Sequence, residues 1–167
     1  MFNFLQISTN SHLRKNKSLR TCLPYSVAQN IGIIFTVEDK QKHHNVKELV
    51  KQLEKDGKKV TVLCFLPDDK QNYEFLFDFF TAKEFSMWGN VSSAAAIKFT
   101  SIDFDYLFYL DTDPNPLIFN LLARCKAKCR LGKFWETGKP FFELMVENNG
   151  DTKELMDNLY KYTIILR

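Results

Sequence analysis

Three short apolar runs, each followed by a segment with helical spacing, constrain this chain more than any other feature. Residues 31–37 read IGIIFTV, residues 60–66 VTVLCFL and residues 106–110 YLFYL. Each is nearly continuous in β-branched, Leu and aromatic side chains, the pattern of a strand covered on both faces; a half-exposed strand would alternate. After the first run, Val46, Leu49, Val50 and Leu53 recur at helical spacing and Gly57 follows as a stop. Residues 92–100 and 116–124 also read as helices, and residues 152–166 as an amphipathic one with Leu155, Leu159, Tyr162 and Ile165 on one face. Residues 126–131 alternate strictly, which predicts a short half-buried edge strand, and residues 142–146 form a further strand candidate. Residues 73–80 are aromatic and fit either state. Such alternation predicts a three-layer α/β fold, Rossmann-like or flavodoxin-like, with a mostly parallel sheet. Residues 1–30, polar and closed by Leu23-Pro24, read as a basic N-terminal arm or short helix outside a single α/β domain of residues 31–167.

Composition sets the class. Hydrophobic residues make up 45% and charged residues 26%, which excludes wholesale disorder, and sixteen Phe call for an aromatic core. No apolar run approaches the roughly 18 residues of a membrane span. The first residues place apolar side chains before positive ones, the reverse of a secretory signal, so the cytoplasm is the expected compartment. Cys22, Cys64, Cys125 and Cys129 are accordingly expected as reduced thiols.

The net charge of +3 is unevenly spread. Residues 1–37 carry Arg14, Lys15, Lys17 and Arg20 and no acid, whereas residues 38–123 carry 10 basic and 14 acidic side chains. Residues 124–139 return to six basic against one acidic. Two basic segments on a mildly acidic body point to a polyanionic partner, such as RNA or an acidic membrane surface.

In a doubly wound sheet, ligands bind beyond the carboxyl ends of the strands, here residues 36–42, 67–72 and 111–115. A phosphate loop would need glycines after the first strand, but residues 36–44 read TVEDKQKHH. No P-loop or dinucleotide fingerprint occurs, which argues for a binding module rather than an enzyme. Asp111 and Asp113 follow the strand YLFYL with one residue between, a spacing that suits Mg or Mn in a nucleotide-sugar or phosphate-ester enzyme. The same Asp-Pro-Asn-Pro stretch is also a ready turn and helix cap. His43 and His44 diverge on any regular element, and Cys125 and Cys129 lack the spacing of a zinc knuckle or a redox pair.

In the strand expected over residues 126–131, Lys126, Lys128 and Arg130 share one face, with Lys133 beyond. Trp88 and Trp135 fall in loop-like stretches and are candidates for stacking on bases.

Two resemblances add to this reading. The basic leader, IGIIF, the Gly57-Lys58-Lys59-Val60 strand entry, FDFFTAKEFSMWG, FDYLFYL and AKCRLGKF together resemble a family of small bacterial α/β proteins that has no established activity. This covers nearly the whole chain and implies a single domain. Residues 104–134 are similar to the late part of the N-terminal domain of heptosyltransferase-like enzymes, where a strand ending in Asp precedes a helix, a basic strand and a Gly. The implication is a shared half-fold, and no catalytic residue carries over.

The expected function is a non-catalytic module that docks on RNA or a ribonucleoprotein such as the ribosome, with no cofactor. Arg14, Lys15, Lys17, Arg20, Lys126, Lys128, Arg130 and Lys133 would meet phosphates, and protein subunits of the same assembly are further partners. The alternatives are the metal-dependent enzyme using Asp111 and Asp113, and a protein–protein adaptor built on the loops of Trp88 and Trp135.

Overall fold

The computed structural model describes residues 2–166, with Phe2, Asn3 and Phe75 described by backbone alone. Met1 and Arg167, the outer ends of the two expected spans, lie outside the described residues. Six strands, β1 (Asn30–Thr36), β2 (Lys59–Phe65), β3 (Asp78–Phe80), β4 (Tyr106–Tyr109), β5 (Cys129–Lys133) and β6 (Leu144–Val146), form one sheet in the order β3-β2-β1-β4-β5-β6. Every pairing is parallel. The fold is thus the expected α/β, Rossmann-like one.

Among the described residues five helices accompany the sheet: α1 (Phe2–Lys15), α2 (Lys40–Lys55), α3 (Ala94–Thr100), α4 (Pro116–Arg124) and α5 (Thr152–Ile164). Ile31, Ile33 and Phe35 of β1 pack with Val46, Leu49 and Leu53 of α2 and Leu155 and Leu159 of α5. On the other face Ile34 packs with Phe99 of α3 and with Ile118, Leu121 and Leu122 of α4. Each such side chain contributes about 1.5–3 kcal/mol when fully buried, so continuous apolar strands are what two helical layers require. Gly32 faces the second layer, where an added Cβ would come within 2.7 Å of Leu107; the missing side chain lets Phe104 and Leu107 close over β1.

Local signals account for most boundaries. The Asp39 side chain accepts from Lys42 N at 2.7 Å and starts α2, earlier than the apolar spacing alone indicates. Gly57, at φ 79, follows its end. Asn115 caps α4 and Pro116 takes its first turn. The aromatic stretch over residues 73–80 divides into a 3-10 turn, Tyr73–Phe75, and β3.

The edge-strand expectation for residues 126–131 is corrected. β5 lies between β4 and β6, inside the sheet, and begins only at Cys129. Lys126 and Lys128 belong to the preceding loop, and Arg130 is 0% exposed on the face covered by α4. Its guanidinium donates to Leu122 O at 3.1 Å and Cys125 O at 3.0 Å. A cation thereby satisfies carbonyls at the C-terminal end of α4 that the helix itself leaves unpaired.

The expectation of four thiols is likewise corrected. Cys22 and Cys129 form a disulfide across 107 residues of chain. Thr21 N donates to Lys128 O at 2.8 Å and lays the leader beside the entry to β5, a proximity that cysteine spacing does not encode. Cys64 and Cys125 remain free and buried, and burial pushes both thiols up to about 12, far from a nucleophile's range. Among the described residues no helix is long and apolar enough to cross a membrane.

Candidate functional site

The strand order reverses between β1 and β4, so the crevice expected to hold a ligand opens beyond Thr36 and Tyr109. There Asp111 is 2% exposed. Its Oδ1 accepts from Thr36 N at 2.8 Å and from Lys42 Nζ at 2.8 Å, and its Oδ2 accepts from Thr36 Oγ1 at 2.6 Å. Lys42 also reaches Glu38 at 2.5 Å. The Lys42 and Asp111 side chains are both 3% exposed, so this buried ion pair latches the β1–α2 connection to the end of β4. Asp113 instead stands exposed in the turn before α4, where its backbone carbonyl accepts from the Tyr109 hydroxyl at 3.2 Å. Among the described residues no group of three or more His, Cys, Asp and Glu is placed to hold a metal ion.

At the opposite end of the sheet the two basic segments meet. The buried Asn16 side chain donates to Ala123 O at 2.9 Å and Arg124 O at 3.2 Å. With the Thr21–Lys128 hydrogen bond and the Cys22–Cys129 disulfide, it stitches the leader along the α4–β5 loop. Arg14, Lys15, Lys17 and Lys126 are exposed around this seam, and none makes an ion pair among the described residues. Lys128 is half-exposed and donates to Asp105 Oδ1 at 2.8 Å. The Asp105 Oδ2 accepts from the backbone of Gln29 at 2.7 Å and Asn30 at 3.0 Å. Burial raises the Asp105 carboxyl, but these donors outweigh it and hold the group below the ordinary range.

The remaining basic candidates serve the fold. Arg20 pairs with Glu143 and donates to Pro140 O at 2.5 Å. Arg130 is buried against α4, out of reach of a phosphate. Lys133 closes β5 at its carboxyl end and donates to Thr112 O at 2.9 Å. The eight residues expected to act together are thus split, with four free around one seam.

The two tryptophans also part. Trp135 packs against Tyr109, Phe119 and Phe142 with ring centroids 5.6, 6.0 and 6.3 Å away. Trp88 is 63% exposed and lies on Phe4 at 4.5 Å. With Ile7 and Met87, also exposed, these two rings form an apolar patch on the N-terminal half of α1, while Arg14 and Lys15 occupy the C-terminal half. The Arg124 guanidinium holds the loop in place by donating to Gly89 O at 2.5 Å and Ser8 Oγ at 3.3 Å.

Besides the disulfide and the donors to Asp105, two features escape the sequence pattern. The Lys42–Asp111 latch joins residues 69 apart, and no local pattern announces it. His43 and His44 diverge as expected, but His43 is 3% exposed with neither ring nitrogen partnered; its place in the helical stripe beside Val46 was the available signal. No curated protein matches the chain. The profile of a family of unknown function, DUF6913, matches residues 3–166, and the chain belongs to that family.

Proposed function

We propose that this chain is a non-catalytic binding module that docks, in the cytoplasm, on RNA or a ribonucleoprotein through the basic seam between α1 and the α4–β5 loop. The observation that carries this reading is the convergence of Arg14, Lys15 and Lys17 with Lys126, more than a hundred residues away, around the Asn16 and Thr21 hydrogen bonds. Four exposed cations, without ion-pair partners among the described residues, on α1, the 3-10 turn after it and the α4–β5 loop lose little on meeting phosphates. They release condensed counterions from the nucleic acid, the main source of sequence-independent affinity. Lys128 adds to the seam at the cost of its pairing with Asp105. Arg20, Arg130 and Lys133 take no part, because each is committed within the fold.

The test is sedimentation of native lysate through a sucrose gradient with and without RNase. The chain is expected to travel with ribosome-sized particles, to return to the top of the gradient after RNase or high salt, and to stay there when Arg14, Lys15, Lys17 and Lys126 are all changed to Gln. Unchanged migration of that quadruple variant would overturn the reading. One observation favours a second reading, a protein adaptor: the exposed Phe4, Ile7, Met87 and Trp88 beside the seam. Particle association that survives both nuclease and salt, and is lost in Trp88→Ser, would favour it.

A further inference from the structure

A second surface lies far from the basic seam, at the carboxyl end of β1 and β2. There Lys40, His43, His44 and Lys47 of α2 face Tyr73 and Glu74 of the 3-10 turn across a cleft of about 390 Å³. That volume falls within the range of about 300–1,000 Å³ common to small-molecule sites, and the cleft opens on the carboxyl side of β1 and β2, one strand away from the point where the strand order reverses.

His43 forms the cleft's inner wall. Its ring sits among Phe77, Phe35 and Tyr73, with centroids at 4.9, 5.8 and 5.9 Å. No hydrogen bond reaches either nitrogen. Buried polar groups nearly always find a partner, so an imidazole walled by three aromatic rings and bonded to nothing calls for an account. Burial lowers its pKa, with a smaller opposing effect from Glu74. The neutral ring therefore offers one N–H donor and one bare nitrogen.

Two further observations point the same way. Lys40 and Lys47 bring two ammonium groups to the rim, and only Lys47 is paired, with Glu74 at 3.3 Å in an exposed contact that exchanges readily. Glu74 itself stands at φ 59, the one non-glycine residue with positive φ among the described residues. Backbone held in that region is characteristic of ligand-binding positions.

We propose that this cleft binds the phosphoryl group of a small phosphomonoester. The two ammonium groups of Lys40 and Lys47 match a dianion, and the Tyr73 hydroxyl and the His43 N–H supply neutral donors to its oxygens. Tyr73 and His43 both line the cleft, their rings inclined at 65° to each other, and the ligand engages His43 as the Tyr73 ring turns. Tyr73 stands on a three-residue turn outside the sheet and the α-helices. This site is independent of the basic seam, which lies at the other end of the strands.

The experiment is an NMR titration of the full chain with inorganic phosphate and with phenyl phosphate at constant ionic strength, sodium chloride serving as the control. Saturable shifts of the His43 ring and of the amides of residues 40–47 are expected with both phosphates and not with chloride. Lys40→Gln combined with Lys47→Gln, both at the surface, should weaken binding at least tenfold. His43→Phe, which keeps the aromatic packing and removes both nitrogens, should do the same. Changing Arg14, Lys15, Lys17 and Lys126 to Gln should leave these shifts intact, which separates this site from the seam. Linear shifts, equal shifts with chloride, saturable shifts confined to the seam, or unaltered binding in the Lys40/Lys47 and His43 variants would each overturn the proposal.

Discussion

Lys42 and Asp111 form a buried ion pair that joins the β1–α2 connection to the end of β4. Both are almost wholly buried, and Asp111 spends its remaining acceptor capacity on Thr36. Removing one partner of a buried pair leaves an uncompensated charge, which costs about 3–5 kcal/mol. Lys42→Met is expected to lower the unfolding free energy by about that much in a urea titration. Adding Asp111→Asn should restore most of the loss, because the stranded carboxylate is then gone; a single-variant loss below about 1 kcal/mol would mean that water already screens the pair. Asp105 supplies a pH dependence of defined sign. Its folded-state carboxyl lies below the ordinary value of 3.8, so its contribution is complete above that value and is lost as pH falls through the folded one. Asp105→Asn is expected to flatten the acid side of a thermal-stability profile taken between about pH 5 and pH 2. Asp56 maintains part of that slope. Burial raises its carboxyl, but the hydroxyls of Tyr25 and Tyr160 and the Gln52 amide prevail and hold it low. Asn115 and Pro116 were legible as cap and first turn because such effects are local. Neither the latch nor the donors to Asp105 could be read, because their partners lie 23 to 76 residues away.

Among the elements, β5 is the most instructive. Its alternating sequence marks a strand, which begins only at Cys129 instead of residue 126, but not an edge, because alternation reports only that one face tolerates polar side chains. On that face lies a helix terminus with unpaired carbonyls, and a buried guanidinium donates to Leu122 O and Cys125 O there. The continuous runs of β1, β2 and β4 left no such ambiguity, since a strand without a polar face must be interior. The leader was harder to read. Helix α1 owes its place to Leu5 and Leu13, which pack beside α4, and to the Asn120–Thr9 hydrogen bond of 2.9 Å, and the disulfide fastens the segment that follows. A covalent tie closing a loop of this length restricts the unfolded chain, and removing it costs about 2–5 kcal/mol. The unfolded but unreduced protein should therefore show two titratable thiols, Cys64 and Cys125. Cys22→Ser should lower the melting temperature of the unreduced protein while leaving that of the fully reduced protein nearly unchanged. Finding four thiols without reductant would remove the tie from the account of how α1 is held.

At the scale of the whole molecule, the sheet separates two surfaces of different character. The amino ends of the strands carry the seam, with Arg14, Lys15, Lys17 and Lys126 exposed and without ion pairs among the described residues; the carboxyl ends carry the Lys42–Asp111 latch and the cleft beside His43. The charge asymmetry of the sequence foretold two basic segments but not which of their residues would meet, because that depends on which strand end each segment joins. The seam has a quantitative signature. Each phosphate neutralised on a single strand contributes about −0.7 to the slope of log affinity against log salt. Four contacts should thus give a slope near −3 with single-stranded RNA, within the roughly 50–200 mM salt range where such plots are linear. Lys126→Gln alone should make the slope shallower by about 0.7, with little change among RNA sequences. Lys133→Gln, which alters a side chain at the other end of β5, should leave it unchanged. If Lys126→Gln and Lys133→Gln behave alike, binding follows net charge and the seam is not the contact surface. A slope near zero for the unaltered protein would shift the weight to the apolar patch of Phe4, Ile7, Met87 and Trp88, whose contacts do not weaken with salt.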